Sequence, residues 1–428
     1  MIPYAGQRVV IWGFGRHGGG EAAARFCAAL GANITILDLK PAAAFGAAGS
    51  AALAAGWAWE VGDATHPIFA RAELIVASPA IPPRAWPPTY RSSLPPRCSP
   101  EALFFAAHRG PRIAVTGTKG KSTTAHILAT LLGWQVAGNS YEPLLDLLAS
   151  HGPDVPVVCE LSSFQLWYLA DVRPRFDGAL LTSLAVDHLD WHPDLADYRR
   201  CKLALMTWAD AVAIAPDVRP QVVDAVPQVA EVTYQNGKFL DADGAVALRA
   251  DLPLLGEHNA RNAALALSMA RHLGLHRDAA APGLRRVRGL PHRLEFVVGV
   301  AGWKYCNDSI ATTPEAAMAA LAAVEGPLAI ILGGSDKGAD FTALATAVVA
   351  RGAHPILIGA TAERLAACLH AAGGKPTLAH EISLAVGLAR QALTTGGTVL
   401  LSPACASFDQ FQGFEDRGAR FRHLADRV

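Results

Sequence analysis

Two glycine-bearing loops carry the residue types that bind phosphate. The stretch Thr116-Gly117-Thr118-Lys119-Gly120-Lys121-Ser122 follows the apolar run RIAV and opens the helix-prone KSTTAHILATLL. In such a turn backbone amides cradle phosphate oxygens, a lysine offsets charge on the β and γ groups, and a serine hydroxyl ligates Mg²⁺. Val115 stands where the strict G-x-x-x-x-G-K-[ST] pattern has its first glycine, yet strand, loop, lysine and helix all coincide. Earlier in the chain, Gly13-Phe14-Gly15-Arg16-His17-Gly18 fits G-x-G-x-x-G, again between a strand and a helix. That turn lets amides and a helix N-terminus approach a diphosphate, and Asp38, ending the next strand, offers a carboxylate to a ribose or a base. Alone, the earlier loop suggests a dinucleotide oxidoreductase, with a tight turn of structural use only as the alternative.

Together the loops narrow the chemistry. A dehydrogenase leaves Lys121, Ser122 and all that follows without a task, whereas a ligase acting on a nucleotide-linked substrate uses both loops. Activating a carboxylate with ATP brings two anions together, so divalent metal and cationic side chains must offset their repulsion. Carboxylate and histidine ligands are therefore expected beyond the second loop. A nucleotide switch that hydrolyses ATP without making a bond is the other reading of that loop.

The elements that position these groups follow one pattern. Short β-branched runs alternate with Ala/Leu-rich stretches of helical period, which predicts an α/β protein with parallel sheets and covering helices. RVVIWGFG, NITILDLK and LIVASPA read as strands of a first unit closing near residue 100, with EAAARFCAALGA as a helix. Residues 81–100 are too rich in proline for a helix or central strand and read as an extended connection. A second unit runs from RIAVTGTKGKS through VVCELSS, GALLTSL and AVAIAP to the helix near HNARNAALALSMARHLG. A third follows GLPHRLEFV, with strands ending at ILGGSDKG, PILIGA and TVLLSPACAS.

The totals agree with an ordinary enzyme. At 428 residues the chain exceeds what one core usually serves, and its 37 basic and 37 acidic side chains give no bias toward polyanions. Nucleic acid is not an implied partner. The seven cysteines are scattered, with no C-x-x-C spacing, which argues against a disulfide framework or zinc site and suits a reducing compartment. No stretch of about 18 uninterrupted apolar residues is present. A cytoplasmic protein with no membrane partner is expected.

VTGTKGKSTT, CELSSFQL, DHLDWH, HNARNA, GLPHRLE, NDSIATTPEA and LSPACASFDQF occur in order over essentially the whole chain. Together they resemble the Mur ligase family, most closely its glutamate-adding members. The resemblance implies a Rossmann-like UDP-binding domain over 1–103, a central P-loop ATP-binding domain over 104–289, and a Rossmann-like glutamate-binding domain over 290–428. The implied reaction is ATP-dependent addition of D-glutamate to UDP-N-acetylmuramoyl-L-alanine through an acyl phosphate, in peptidoglycan precursor synthesis, by a monomer.

Residue by residue, the resemblance puts Gly15, Arg16, His17, Asp38, Lys40, Ser78 and Pro79 around the uridine diphosphate and Asn139 at the muramoyl part. It puts Gly117, Thr118, Lys119, Gly120, Lys121, Ser122 and Thr123 on ATP, joined by Asn259, Asn262, Arg293 and Asp308. Thr312, Lys337, Ser407 and Phe414 match the glutamate pocket. Ser122, Glu160, His188 and Lys202 match the ligands of two Mg²⁺ sites, with Lys202 carbamylated, and Lys121, Glu160, His188 and Lys202 are the implied catalytic set. Read without that context, Glu160 is a strand-end carboxylate, His188 a solvated imidazole, Lys202 a helix-surface lysine, and Asn259 and Asn262 helix caps. Departures also occur. Ile310 stands where many glutamate ligases have lysine, and NSYEP, DHLDWH and TTPEA are similar to a branch that adds L-glutamate, so the same reaction with L-glutamate is the alternative.

Overall fold

The computed structural model describes residues 2–15, 18–86, 98–222, 228–297, 303–394 and 396–426. Arg16 and His17 lie outside these described residues, as do residues 87–97 of the proline-rich connection. Of that connection, Pro83–Ala85 is a single 3-10 turn, as expected where proline removes amide donors.

Four sheets form. The first is parallel, in the order Ala58–Val61, Asn33–Asp38, Arg8–Trp12, Leu74–Ala77. The second, also parallel, runs Gln135–Gly138, Val157–Glu160, Arg112–Thr116, Gly178–Leu181, Val212–Ile214. In each, the strand before the glycine loop is interior, and chain order reverses on its two sides. Such a reversal leaves a crevice outside the carboxyl ends of the strands, where an open α/β sheet binds ligand. Both loops therefore open into their own sheet's crevice. The strand cores IAV, VVC and ALL are buried without alternation, as a parallel sheet covered on both faces requires.

By contacts the chain divides into two compact units, 1–251 with 261–286, and 252–260 with 287–428. In the first unit one apolar core runs from Val9, Ile11 and Val76 through Leu103 and Leu144 to Ala114 and Cys159, so the first two sheets share their covering helices. A small antiparallel meander, Thr233–Gln235, Lys238–Asp241 and Gly244–Leu248, completes this unit. Its Asn236-Gly237 turn has φ of 48° and 73°, the two left-handed residues of a tight hairpin.

The second unit holds one six-stranded sheet in the order Glu295–Val297, Trp303–Asn307, Gly397–Leu401, Leu328–Gly333, His354–Ile358, Thr377–His380. Only the first pairing is antiparallel. Asn307-Asp308, Ser402 and Gly333-Gly334 consequently meet at the carboxyl ends of three neighbouring strands. Among the described residues no helix is long and apolar enough to cross a membrane.

Candidate active site

The second loop is held open by the end of the neighbouring strand. Thr118 N donates to Ser183 O at 2.9 Å, and Lys119 N donates to Ser183 Oγ at 2.7 Å. Thr182 Oγ1 donates to Lys119 O at 2.6 Å. Gly117, at φ 149°, has no room for a side chain, since a Cβ there would sit 2.0 Å from Thr182 Oγ1. Gly120 caps the helix Lys121–Leu132 in the left-handed conformation, and a Cβ on it would lie 2.7 Å from Asn262 Oδ1. The close packing leaves Ser122 and Thr123 buried in the first helical turn and lets Lys121 Nζ donate to Thr118 O at 3.1 Å.

Glu160 ends the adjacent strand and is 0% exposed. Its Oε1 accepts from Asn139 Nδ2 at 2.9 Å and from Ser140 Oγ at 3.0 Å. Its Oε2 is buried with no hydrogen-bond partner among the described residues. A buried carboxylate oxygen without a donor is costly unless a cation faces it, so this atom could hold one.

Lys202 is not the surface lysine its helical context suggested. It is 2% exposed, with Nζ donating to Gly117 O at 2.8 Å and lying 5.0 Å from the centroid of the Tyr198 ring. Burial first, and the neighbouring Lys121 second, push its amine well below the ordinary lysine range. His188 lies next to Asp187 at a left-handed φ of 54°, its ring 4.7 Å from Phe164. Burial lowers its pKa, Asp187 opposes, and Lys121 and Lys202 add to the lowering, so the imidazole is neutral and free to ligate at pH 7.

The structure also brings in residues that the sequence motifs did not single out. Ser163 Oγ, His192 and Asp197 form a chain of hydrogen bonds, with Ser163 to Nε2 at 2.9 Å and Asp197 to Nδ1 at 2.7 Å. This chain ties the segment carrying His188 to the start of the helix after Glu160 and to the helix bearing Lys202. Ligand-type atoms of His192, Asp197 and Cys201 lie within 4.8 Å of one another, but both imidazole nitrogens already have partners. Ser163 is 34 residues from Asp197 in sequence, so no linear motif announced the pairing; the capping box of Ser162 and Gln165 was the only local signal.

The first loop is built differently. Asp38 spends one oxygen on Phe14 N at 2.9 Å and the other on Lys40 N at 3.1 Å, bracing the glycine turn from inside. Gly13 leaves only 3.0 Å between a would-be Cβ and Ser78 Cβ, which brings Ser78 and Pro79 to the mouth of the turn. Gly15 has open space above it. A Cβ on Gly18 would touch Pro143 at 3.4 Å, so this loop abuts the segment that carries Asn139. Phosphate-type loop, Asn139 and Glu160 thus form one continuous run within the first unit.

In the second unit, Asp308 is 5% exposed and accepts from Leu294 N at 3.1 Å and Ser402 Oγ at 2.7 Å. Burial raises its carboxyl to about 6. Arg293 sits between His292 and Leu294, both left-handed at φ 60° and 43°, a strained geometry that residues of ordinary turns avoid. Asn259 Nδ2 donates to Leu255 O at 2.7 Å. Thr312 precedes a helix capped by Thr313, Ser407 is buried, and Phe414 opens the helix Phe414–Ala425. Lys337 is exposed on the loop that pairs with residue 406 through Ser335 N to Ala406 O at 2.8 Å.

A family model described as Mur ligase middle domain matches residues 115–270, and one described as Mur ligase, glutamate ligase domain matches residues 292–405. The UDP-N-acetylmuramoylalanine-D-glutamate ligase of Pelotomaculum thermopropionicum is 33% identical over 98% of this chain and 97% of its own length. The UDP-N-acetylmuramoyl-L-alanine-L-glutamate ligase of Xanthomonas axonopodis pv. citri is 35% identical over 98% of this chain and 95% of its own. Among solved structures, the UDP-N-acetylmuramate-alanine ligase MurC of Thermotoga maritima has the same fold, with a TM-score of 0.62 at 15% identity over 98% of this chain and 99% of that one. The MurF ligase of Thermotoga maritima, solved with ADP, gives 0.59 at 15% identity over 100% of this chain and 96% of that one. With its two phosphate-type loops, its orphaned buried carboxylate and relatives of this identity along its whole length, the chain belongs to the Mur ligase family of ATP-dependent, amide-bond-forming enzymes of peptidoglycan synthesis.

Proposed function

We propose that the enzyme joins D-glutamate to UDP-N-acetylmuramoyl-L-alanine through an acyl phosphate, as a cytoplasmic monomer whose three domains span 1–103, 104–289 and 290–428. The observation that carries this reading is the buried Oε2 of Glu160, without a hydrogen-bond partner among the described residues, on a carboxylate whose charge is felt by Lys202. Oxygen donors suit Mg²⁺, so Ser122, Glu160 and a carbamylated Lys202 would hold it, with His188 as the one nitrogen ligand of the set. When bound, Mg²⁺ supplies charge neutralisation between phosphate and carboxylate.

The protein's own groups do the rest. Amides of 117–123 orient the triphosphate, and the Lys121 ammonium draws charge off the transferring phosphoryl group, which moves to the alanine carboxylate and releases ADP. The glutamate amine then attacks the activated carbonyl. A C–N bond forms, the C–O bond to phosphate breaks, and phosphate leaves with the bonding pair while the amine gives up a proton. A neutral Lys202 amine can add CO₂ through its lone pair and lose one proton, turning an uncharged amine into an anionic carbamate ligand.

Asn259, Asn262, Arg293 and Asp308 are assigned to ATP. Gly15, Asp38, Lys40, Ser78 and Pro79 are assigned to the uridine end, Asn139 to the muramoyl part, and Thr312, Lys337, Ser407 and Phe414 to glutamate. Most of the relatives carry D-glutamate in their names, which supports D-glutamate. L-glutamate is the second reading, favoured by the Xanthomonas euvesicatoria relative at 36% identity and by Ile310. Phosphate release is measured with UDP-N-acetylmuramoyl-L-alanine and either D- or L-glutamate, with products weighed by mass spectrometry. Turnover with D-glutamate alone supports the first reading, with L-glutamate alone the second, and with neither sinks both.

A further inference from the structure

Arg417, in the first turn of the helix Phe414–Ala425, is 0% exposed. Buried charges are normally paired, yet no carboxylate lies within ion-pair reach of it among the described residues. Its donors go to four neutral acceptors: Ser309 Oγ at 3.0 Å, Ser309 O at 2.9 Å, Cys405 O at 3.1 Å and Ala406 O at 3.3 Å. Ser309 Oγ in turn donates to Phe414 O at 2.8 Å. A Cβ on Gly334 would lie 3.1 Å from Arg417 Nη1, so the loop leading to Lys337 also abuts the guanidinium. Burial lowers its pKa only to about 10, which leaves it charged at neutral pH.

We propose that Arg417 is the positioning residue of the amino-acid subsite: one buried guanidinium fastens the segments that carry Thr312, Ser407 and Phe414, and its unpaired charge favours an anionic amino acid there. This rests on the reading of those residues as the glutamate pocket. A fork of planar donors reaches several carbonyls at once, which an ammonium does not. Asp409 lies within Coulombic range of Arg417 but forms no ion pair with it, so part of the guanidinium's field remains available to a substrate with two carboxylates.

The test uses full-length Arg417→Met and Arg417→Lys enzymes, with glutamate, ATP and the nucleotide-linked substrate varied separately. In both variants KM for glutamate rises at least about tenfold while KM for ATP stays within about twofold, and lysine recovers only part of the loss. Thermal melts establish folding; where the methionine variant fails to fold, the lysine variant decides by the same criterion. An unmoved glutamate KM, a parallel rise in all three constants, or full recovery by lysine overturns the proposal. ATP turnover by the unsubstituted enzyme that ignores glutamate would instead overturn the reading of the pocket itself.

Discussion

Replacing Glu160 by glutamine removes one charge and almost no volume. The retained Oε1 still accepts from Asn139 and Ser140, at 2.9 and 3.0 Å in the parent. An amide nitrogen then occupies the place of Oε2, where no partner waits, at a cost of about 1–3 kcal/mol for a buried unsatisfied donor. Against this stands relief of a buried carboxylate charge that two neutral donors satisfy on Oε1 alone, and burying such a charge costs several kcal/mol. Without ligand the variant is therefore expected to melt at or above the parent. With ligand the balance reverses. A full charge about 4 Å from a cation contributes about 4 kcal/mol at an effective dielectric constant of about 20. At about 1.4 kcal/mol per tenfold, that amounts to roughly a thousandfold in kcat/KM. Melting curves with and without Mg²⁺ and ATP, together with phosphate release across a Mg²⁺ titration, test both halves. A folded variant that keeps turnover within about tenfold of the parent and retains its Mg²⁺-dependent stabilisation refutes the placement of a cation at Oε2.

Lys202 has its pKa pushed far down, so turnover in CO₂-depleted buffer is expected to fall and to return with bicarbonate. A Lys202→Arg enzyme, charged at all working pH values, shows no such response; equal turnover with and without bicarbonate in the parent counts against carbamylation. Asp308 is raised from 3.8 to about 6, so the folded state holds its proton more tightly than the unfolded chain. Its contribution is fully present below the unfolded pKa and is lost as pH rises through about 6, a loss of up to ~3 kcal/mol for the unliganded protein. Asp308→Asn is expected to erase that slope in urea melts from pH 4 to 7; an unchanged slope assigns it elsewhere. Gly117→Ala forces a Cβ to 2.0 Å from Thr182 Oγ1, and is expected to cost at least about a hundredfold in kcat/KM with ATP through a displaced loop. Parent-like kinetics would mean the loop accommodates the methyl group without moving.

Local rules made much of this molecule legible from its sequence. Alternating β-branched and helix-prone runs announced parallel sheets, and glycine, lysine and serine at fixed offsets announced the phosphate loop, because strand-turn-helix geometry depends on near neighbours alone. The Asn236-Gly237 hairpin was equally readable, though only the structure drew attention to it. What sequence left open at Lys202 was whether a helical lysine faced solvent or core. Tertiary packing answered, since the helix Leu195–Ala204 turns that side chain onto Gly117 O, 85 residues away. The partnerless oxygen of Glu160, the Ser163–His192–Asp197 chain and the guanidinium of Arg417 amid four neutral acceptors have the same origin. Each depends on which distant groups crowd one side chain and which fail to reach it, and those distances exist only once the strands have found their neighbours.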